Sequence, residues 1–136
     1  MIRESSYESS LDALNNPEKV VKLMKDVFQI HRETEEYMYE ICVDERGKPI
    51  AVFEISHGSV CGTMASSREI FQKALLVGAS RIVVVHNHPS GDCKPSKEDR
   101  KVTAKLKEAG QLMDISLVDS IIVGDQYYSF AENENL

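Results

Sequence analysis

A chain of 136 residues with 42% hydrophobic and 28% charged positions has the size and composition of one globular domain, which excludes a largely disordered protein. Its formal net charge is -6, and the Lys and Arg of residues 94 to 107 are interleaved with acids, which argues against a broad nucleic-acid footprint. No stretch approaches the ~20 apolar residues needed to cross a bilayer, and Cys42, Cys61 and Cys93 draw neither a disulfide framework nor a Cys-x-x-Cys knuckle, so the expected setting is reducing and cytoplasmic.

Residues 1–15 are polar and unpatterned, without the apolar core of a signal peptide, and read as a flexible arm ahead of a single domain, 16–136. Asn16-Pro17 has the look of an N-cap followed by a proline at the first helical position, and Val20, Met24, Val27 and His31 recur at helical spacing, which predicts a helix from Pro17 to His31. Tyr37–Val43 and Pro49–Ile55 are rich in aromatic and β-branched residues and flank the turn Asp44-Glu45-Arg46-Gly47, so they pair as a hairpin. A short extended piece near Val60 precedes a helix capped by Ser66 or Ser67 and stopped by Gly78. The run Arg81–His86 is a continuous apolar strand of the kind buried on both faces of a sheet. Ser96 opens a second helix, with Val102, Leu106 and Ala109 on one face and Gly110 as its stop. Ile115–Val123 and Tyr127–Phe130 follow as strands joined at Gly124-Asp125, before a polar tail. This alternation predicts a layered α/β domain with a central mixed β-sheet flanked by helices.

The chemistry gathers in residues 83 to 99, VVVHNHPSGDCKPSKED. Side chains two apart on a strand point the same way, so His86 and His88 offer both imidazoles to one point past the strand's C-terminal end, where open α/β sheets place ligands. Pro89, Ser90 and Gly91 turn the chain, and the next helix brings in Asp99 on its first turn. Two imidazoles and a carboxylate suit a single Zn²⁺ with a fourth position free for water. Blander readings stand beside this one. A strand-end His-x-His also occurs as surface decoration, and Ser96 with Asp99 also forms a capping box, which stabilises a helix start by ~1 kcal/mol. The joint occurrence of both, at a defined loop length, favours the metal.

His-x-His-Pro, six residues, Ser, two residues, Asp is the motif of the JAB/MPN (JAMM) metalloenzymes, and His86-Asn87-His88-Pro89, Ser96 and Asp99 match each fixed position. The wider text, HNHPSGD, Pro95-Ser96, KLKEAG and IIVGD…YSFAE, resembles the C-terminal domain of bacterial RadC proteins over residues 33 to 132. That resemblance implies an architecture shared with cytidine deaminases, zinc on His86, His88 and Asp99, Ser96 as a stabiliser of the oxyanion, and a glutamate at the start of the first core strand as general acid/base. The pattern Glu-aromatic-apolar places this glutamate at Glu36, with Glu35 one residue away as the fallback and an exposed charge in the run Glu33–Glu36 as the bland alternative. The sequence departs from the RadC pattern in three ways. Residues 1–32 are not expected to form the helix-hairpin-helix segment that usually precedes this domain, Ser120 stands where RadC sequences usually carry a histidine, and Cys93 lies inside the motif loop, as a spacer or as an occasional thiol ligand.

The expected function is zinc-dependent hydrolysis of amide bonds in a peptide or protein substrate, peptide or isopeptide. The alternative is a non-catalytic RadC-like module in DNA processing or mobile-element biology, with zinc structural. Cytidine deamination needs His-x-Glu and Pro-Cys-x-x-Cys, whereas the motif stretch offers His86-Asn87-His88 and a lone Cys93. The string His-Asn-His also has no bearing on nucleases of that name, whose three residues are spread over a ββα-metal fold. His31 on a helical face, His57 in a turn, and Tyr127, Tyr128 and Phe130 read as structural or packing residues.

Overall fold

The computed structural model describes residues 14–57, 67–134 and 136. The expected arm up to Ala13, the extended piece near Val60, Cys61 and the Ser66 cap lie outside the described residues. Leu14, expected within the loose arm, is instead buried and donates its N–H to the Gly47 carbonyl at 2.8 Å, so the chain is anchored there.

Helix α1 (Pro17–Phe28) starts as its sequence dictates, with Asn16 Oδ1 accepting the Lys19 N–H at 2.9 Å and Pro17 in the first turn. It stops three residues short of the expected His31 because Gln29 takes a left-handed conformation, φ 56° and ψ 34°. A 3-10 turn, Ile30–Arg32, follows; it carries Ile30 into the core and leaves His31 exposed. Burying an isoleucine is worth ~1.5–3 kcal/mol. That matches or exceeds the ~1–2 kcal/mol of one left-handed residue.

Strands β1 (Tyr37–Val43) and β2 (Pro49–His57) form the expected hairpin, whose turn is tied by Asp44 Oδ1 accepting the N–H groups of Arg46 and Lys48 at 2.8 and 3.0 Å. His57, expected in a turn, is the last residue of β2 and pairs with Tyr37. Helix α2 (Ser67–Leu76) leads through Gly78 into β3 (Arg81–Asn87), and helix α3 (Lys97–Met113) crosses over to β4 (Ser116–Val123), parallel to β3. Gly110 is not the stop it was expected to be. The helix runs on to Met113 and ends at Asp114, while Gly110 lies against the start of β4, where a Cβ would stand 2.4 Å from the Ile115 carbonyl oxygen. Strand β5 (Tyr127–Ser129) ends one residue early, because Phe130 opens a short helix, α4 (Phe130–Glu134), in place of the expected tail. Asp119 fixes that change by accepting from Ser129 Oγ at 2.5 Å and from the Ala131 N–H at 2.9 Å.

The sheet order is β2-β1-β3-β4-β5, antiparallel except for β3 beside β4. Alternation along each strand splits the core into two layers. Tyr39, Ile41, Val83, Val85 and Ile121 pack with α1 on one face; Met38, Cys42, Phe53, Ile82 and Val84 pack with α2 and α3 on the other. The molecule is thus a layered α/β domain around a mixed sheet, and β3, covered on both faces, is its spine. No helix among the described residues is long and apolar enough to cross a membrane.

Candidate metal centre

The site opens at the C-terminal end of β3, between its neighbours β1 and β4. His86, 2% exposed, pairs with Met38 on β1 and Ile122 on β4, so its ring leaves the sheet on the face that α3 covers. His88 follows just past the strand, its N–H bonded to the Val123 carbonyl at 2.9 Å, and its ring centroid lies 5.2 Å from that of His86. The chain then turns through Gly91, φ 91°, whose N–H returns to the His88 carbonyl at 2.9 Å. Neither side chain nor slack fits here. A Cβ on Gly91 would meet the Asp125 carboxylate at 2.8 Å, and one on Gly124 would stand 2.3 Å from the Gly91 oxygen, so the motif loop rests on the β4–β5 turn.

Asp99 arrives on the first turn of α3, held by a capping box: Ser96 Oγ accepts the Asp99 N–H at 3.0 Å, and Asp99 Oδ2 accepts the Ser96 N–H at 2.8 Å. The capping reading and the ligand reading of Asp99 therefore coexist. Its Oδ1 lies 3.0 Å from His86 Nε2, and its Oδ2 lies 3.1 Å from His88 Nε2. His88 Nδ1 donates to the Asp92 carbonyl at 2.8 Å, which turns the Nε2 lone pair toward Asp99 in the neutral ring. A lone pair facing a carboxylate needs a proton or a cation between them. His86 states the same need more strongly, since its buried Nδ1 has no partner and its buried Nε2 faces only the Asp99 carboxylate, outside good hydrogen-bond geometry, and a polar atom orphaned like Nδ1 costs ~1–3 kcal/mol. Among the described residues, His86, His88 and Asp99 are the His, Cys, Asp or Glu group able to hold a metal ion, with ligand atoms within 4.8 Å of one another.

The charges agree with this geometry. Burial disfavours the Asp99 carboxylate, but the hydrogen bonds and charges of His86 and His88 outweigh it and hold Asp99 well below the usual carboxylate range. His88 is raised, first by its hydrogen bond to Asp99, against burial, and further by the Asp92 carbonyl and the charge of Glu36. Glu36 is half-buried and precedes β1 at the end of the sheet where His88 leaves β3, close enough for its charge to be felt at that ring. Glu35 is exposed, and its charge acts on Tyr37 on the other side of the strand. Ser96 is exposed at the mouth; its Oγ accepts the capping bond, and its hydroxyl proton remains for another acceptor. Cys93 is half-buried in the loop, and its sulfur is not one of the converging ligand atoms. Ser120 sits one row deeper, opposite Val84, and its Oγ accepts from Thr103 of α3 at 3.0 Å.

Two residues escaped the sequence reading. Asn87, the unspecified position of His-x-His, is buried and bonds to the backbone on either side of Glu36. The signal was its chemistry, since an amide can donate and accept at once. Glu40 is fully buried in β1, and its two oxygens have no N–H or O–H partner among the described residues. The only trace of it was a lone charge inside the apolar text YMYEICV.

The family model that matches this chain is described as a RadC-like JAB domain and spans residues 14–136. Similar proteins include the UPF0758 protein of Geotalea uraniireducens, 36% identical over 124 residues, 90% of this chain and 54% of the relative. The UPF0758 proteins of Thermotoga maritima and Methanococcoides burtonii are 37% and 34% identical over 126 and 125 residues, covering 92% and 88% of this chain and 55% of each relative. The chain thus spans about half the length of the curated relatives it matches. With the whole sheet, the three convergent side chains and the capped helix all inside the matched span, the chain belongs to the RadC-like JAB domain family.

Proposed function

We propose that this domain is a zinc-dependent hydrolase of amide bonds, acting on peptide or isopeptide links. The observation that carries the reading is His86: a buried imidazole whose Nδ1 has no partner and whose Nε2 is turned to the Asp99 carboxylate, beside a second imidazole within ligand reach. Two imidazoles and a carboxylate, with no thiolate among them, are the donor set of a zinc site that keeps a position open. A zinc ion bound there would lower the pKa of a water to roughly 7 and polarise a substrate carbonyl.

The chain's own groups supply the rest. Glu36 accepts a proton from the attacking water and returns it to the departing amine nitrogen, so that water is added across the C–N bond and an acid and an amine leave. The Ser96 hydroxyl, free to donate, stabilises the oxygen that becomes negative as the carbonyl is attacked, a contribution of about 3 kcal/mol in comparable sites. Asp92 orients His88 through its carbonyl, and Ser96 orients Asp99 through the capping box.

The test is elemental analysis of the purified protein together with a screen of peptide and isopeptide substrates. Zinc near one per chain is expected, lost in His86→Ala and Asp99→Ala, whereas Glu36→Gln keeps the metal and loses turnover about a hundredfold or more. Turnover surviving in Glu36→Gln would move the base elsewhere. Bound zinc without turnover on any substrate, alongside saturable binding of protein or DNA, would favour the non-catalytic module instead.

A further inference from the structure

Asn87 lies between the two histidine ligands, 2% exposed, and its side chain does not join them. It turns along the sheet toward β1. Its Oδ1 accepts the Tyr37 N–H at 2.6 Å, and its Nδ2 donates to the Glu35 carbonyl at 2.9 Å. These two backbone groups flank a single residue, Glu36.

The reason for the contact lies in the sheet. The β1–β3 ladder ends at the pair Met38–His86, whereas the pairing of β3 with β4 continues through Asn87–Val123 to the His88 N–H, which meets the Val123 carbonyl. Beyond that pair the β1–β3 ladder leaves a gap in its pairing, and Glu36 and His88 both lie past its end. Backbone groups lining such a gap need partners. The Asn87 amide provides both, replacing the missing rung. Few side chains have this capacity: aspartate has no donor when ionised, serine has one short hydroxyl, and only an amide of this length offers an acceptor and a donor side by side.

We infer that Asn87 is the positioning residue for Glu36, clasping the backbone on both sides of it so that the carboxylate is held over the His86–His88–Asp99 group. This inference rests on the hydrolase reading for its chemical meaning, but the clasp itself is a statement about geometry. Residues 33–36 otherwise belong to an irregular connection between the 3-10 turn and β1, where a carboxylate would sample many positions. A base that spends little time within reach of its proton loses effective concentration in proportion.

The experiment is a double-mutant cycle between Asn87→Ala and Glu36→Gln, read by zinc affinity and, separately, by amide hydrogen exchange. A negative charge held beside the site strengthens cation binding, so Glu36→Gln weakens zinc binding by about fivefold at moderate effective dielectric. Asn87→Ala is expected to weaken it by the same factor, and the double variant is to be no weaker than either alone. Exchange at the Tyr37 amide should rise about tenfold or more in Asn87→Ala while that of Ile41 stays unchanged. Additive losses, or an unchanged affinity in Asn87→Ala, would overturn the clasp. Should Asn87→Ala not fold, Asn87→Ser, which satisfies one of the two backbone groups at most, carries the same cycle. None of these readouts needs a substrate. A protein without hydrolytic activity would therefore defeat the hydrolase reading while the cycle still decides the role of Asn87, and in an active protein Asn87→Ala should lower kcat toward the Glu36→Gln level with metal content intact.

Discussion

Glu40 shows what a single residue can impose on stability. Its carboxyl is enclosed, with the Cys42 thiol as its sole weak donor, and burial pushes it up to about 8, with that thiol and the charge of Lys73 opposing and that of Glu69 adding. The folded chain therefore keeps a proton on Glu40 that the unfolded chain has released, between the ordinary carboxylate range and about pH 8. Because the native state binds the extra proton, stability must fall as pH rises through that window, by up to about 1.4 kcal/mol per pH unit. Urea unfolding between pH 5 and 8.5 should show this decline, and Glu40→Gln should flatten it; an equal slope in both proteins would remove the assignment. The convergence of His86, His88 and Asp99 was legible because strand parity and loop spacing constrain where these side chains can go. Glu40 and Asn87 were not, because what matters in each is a partner, reduced to a weak thiol in one case and supplied by a distant backbone in the other.

At the scale of elements, α1 and α3 began where their caps said and ended elsewhere. Asn16 and Ser96 act through local hydrogen bonds that a sequence displays directly. A helix end depends on what the next segment must bury, as Ile30 shows for α1. Gly110 illustrates the ambiguity of a glycine, which marks either a stop or a close approach. In an exposed helix interior, Gly→Ala would stabilise by ~1 kcal/mol. Here the added methyl would collide with the backbone oxygen of Ile115, which cannot swing aside as a side chain can, so Gly110→Ala is expected to destabilise by about 1–3 kcal/mol. Chemical denaturation of that variant decides the sign, and any stabilisation would mean that α3 and β4 shift apart freely.

The whole molecule was legible in class and in strand sequence, since a doubly buried run, a hairpin and a crossover helix leave few ways to assemble a mixed sheet. The two-layer core does not need an ion to close: the apolar clusters on both faces of the sheet are continuous without the metal group. Removing zinc with a chelator should therefore lower Tm without unfolding the chain at room temperature, and adding it at a thousandfold over Kd should stabilise by about 4 kcal/mol. Asp99→Ala should lose that response in a thermal scan, and a chelated protein that is unfolded at 25 °C would show that the ion is part of the fold.

Asp99 serves two structures with one carboxylate, since the oxygen that secures the Ser96 N–H also faces His88. In the proposed metal site, fraying of the first turn of α3 and detachment of Asp99 from the ion are for that reason one event. Substitutions at Lys97 or Glu98, which touch no ligand, would then alter how long an ion is retained simply by changing how often that turn opens.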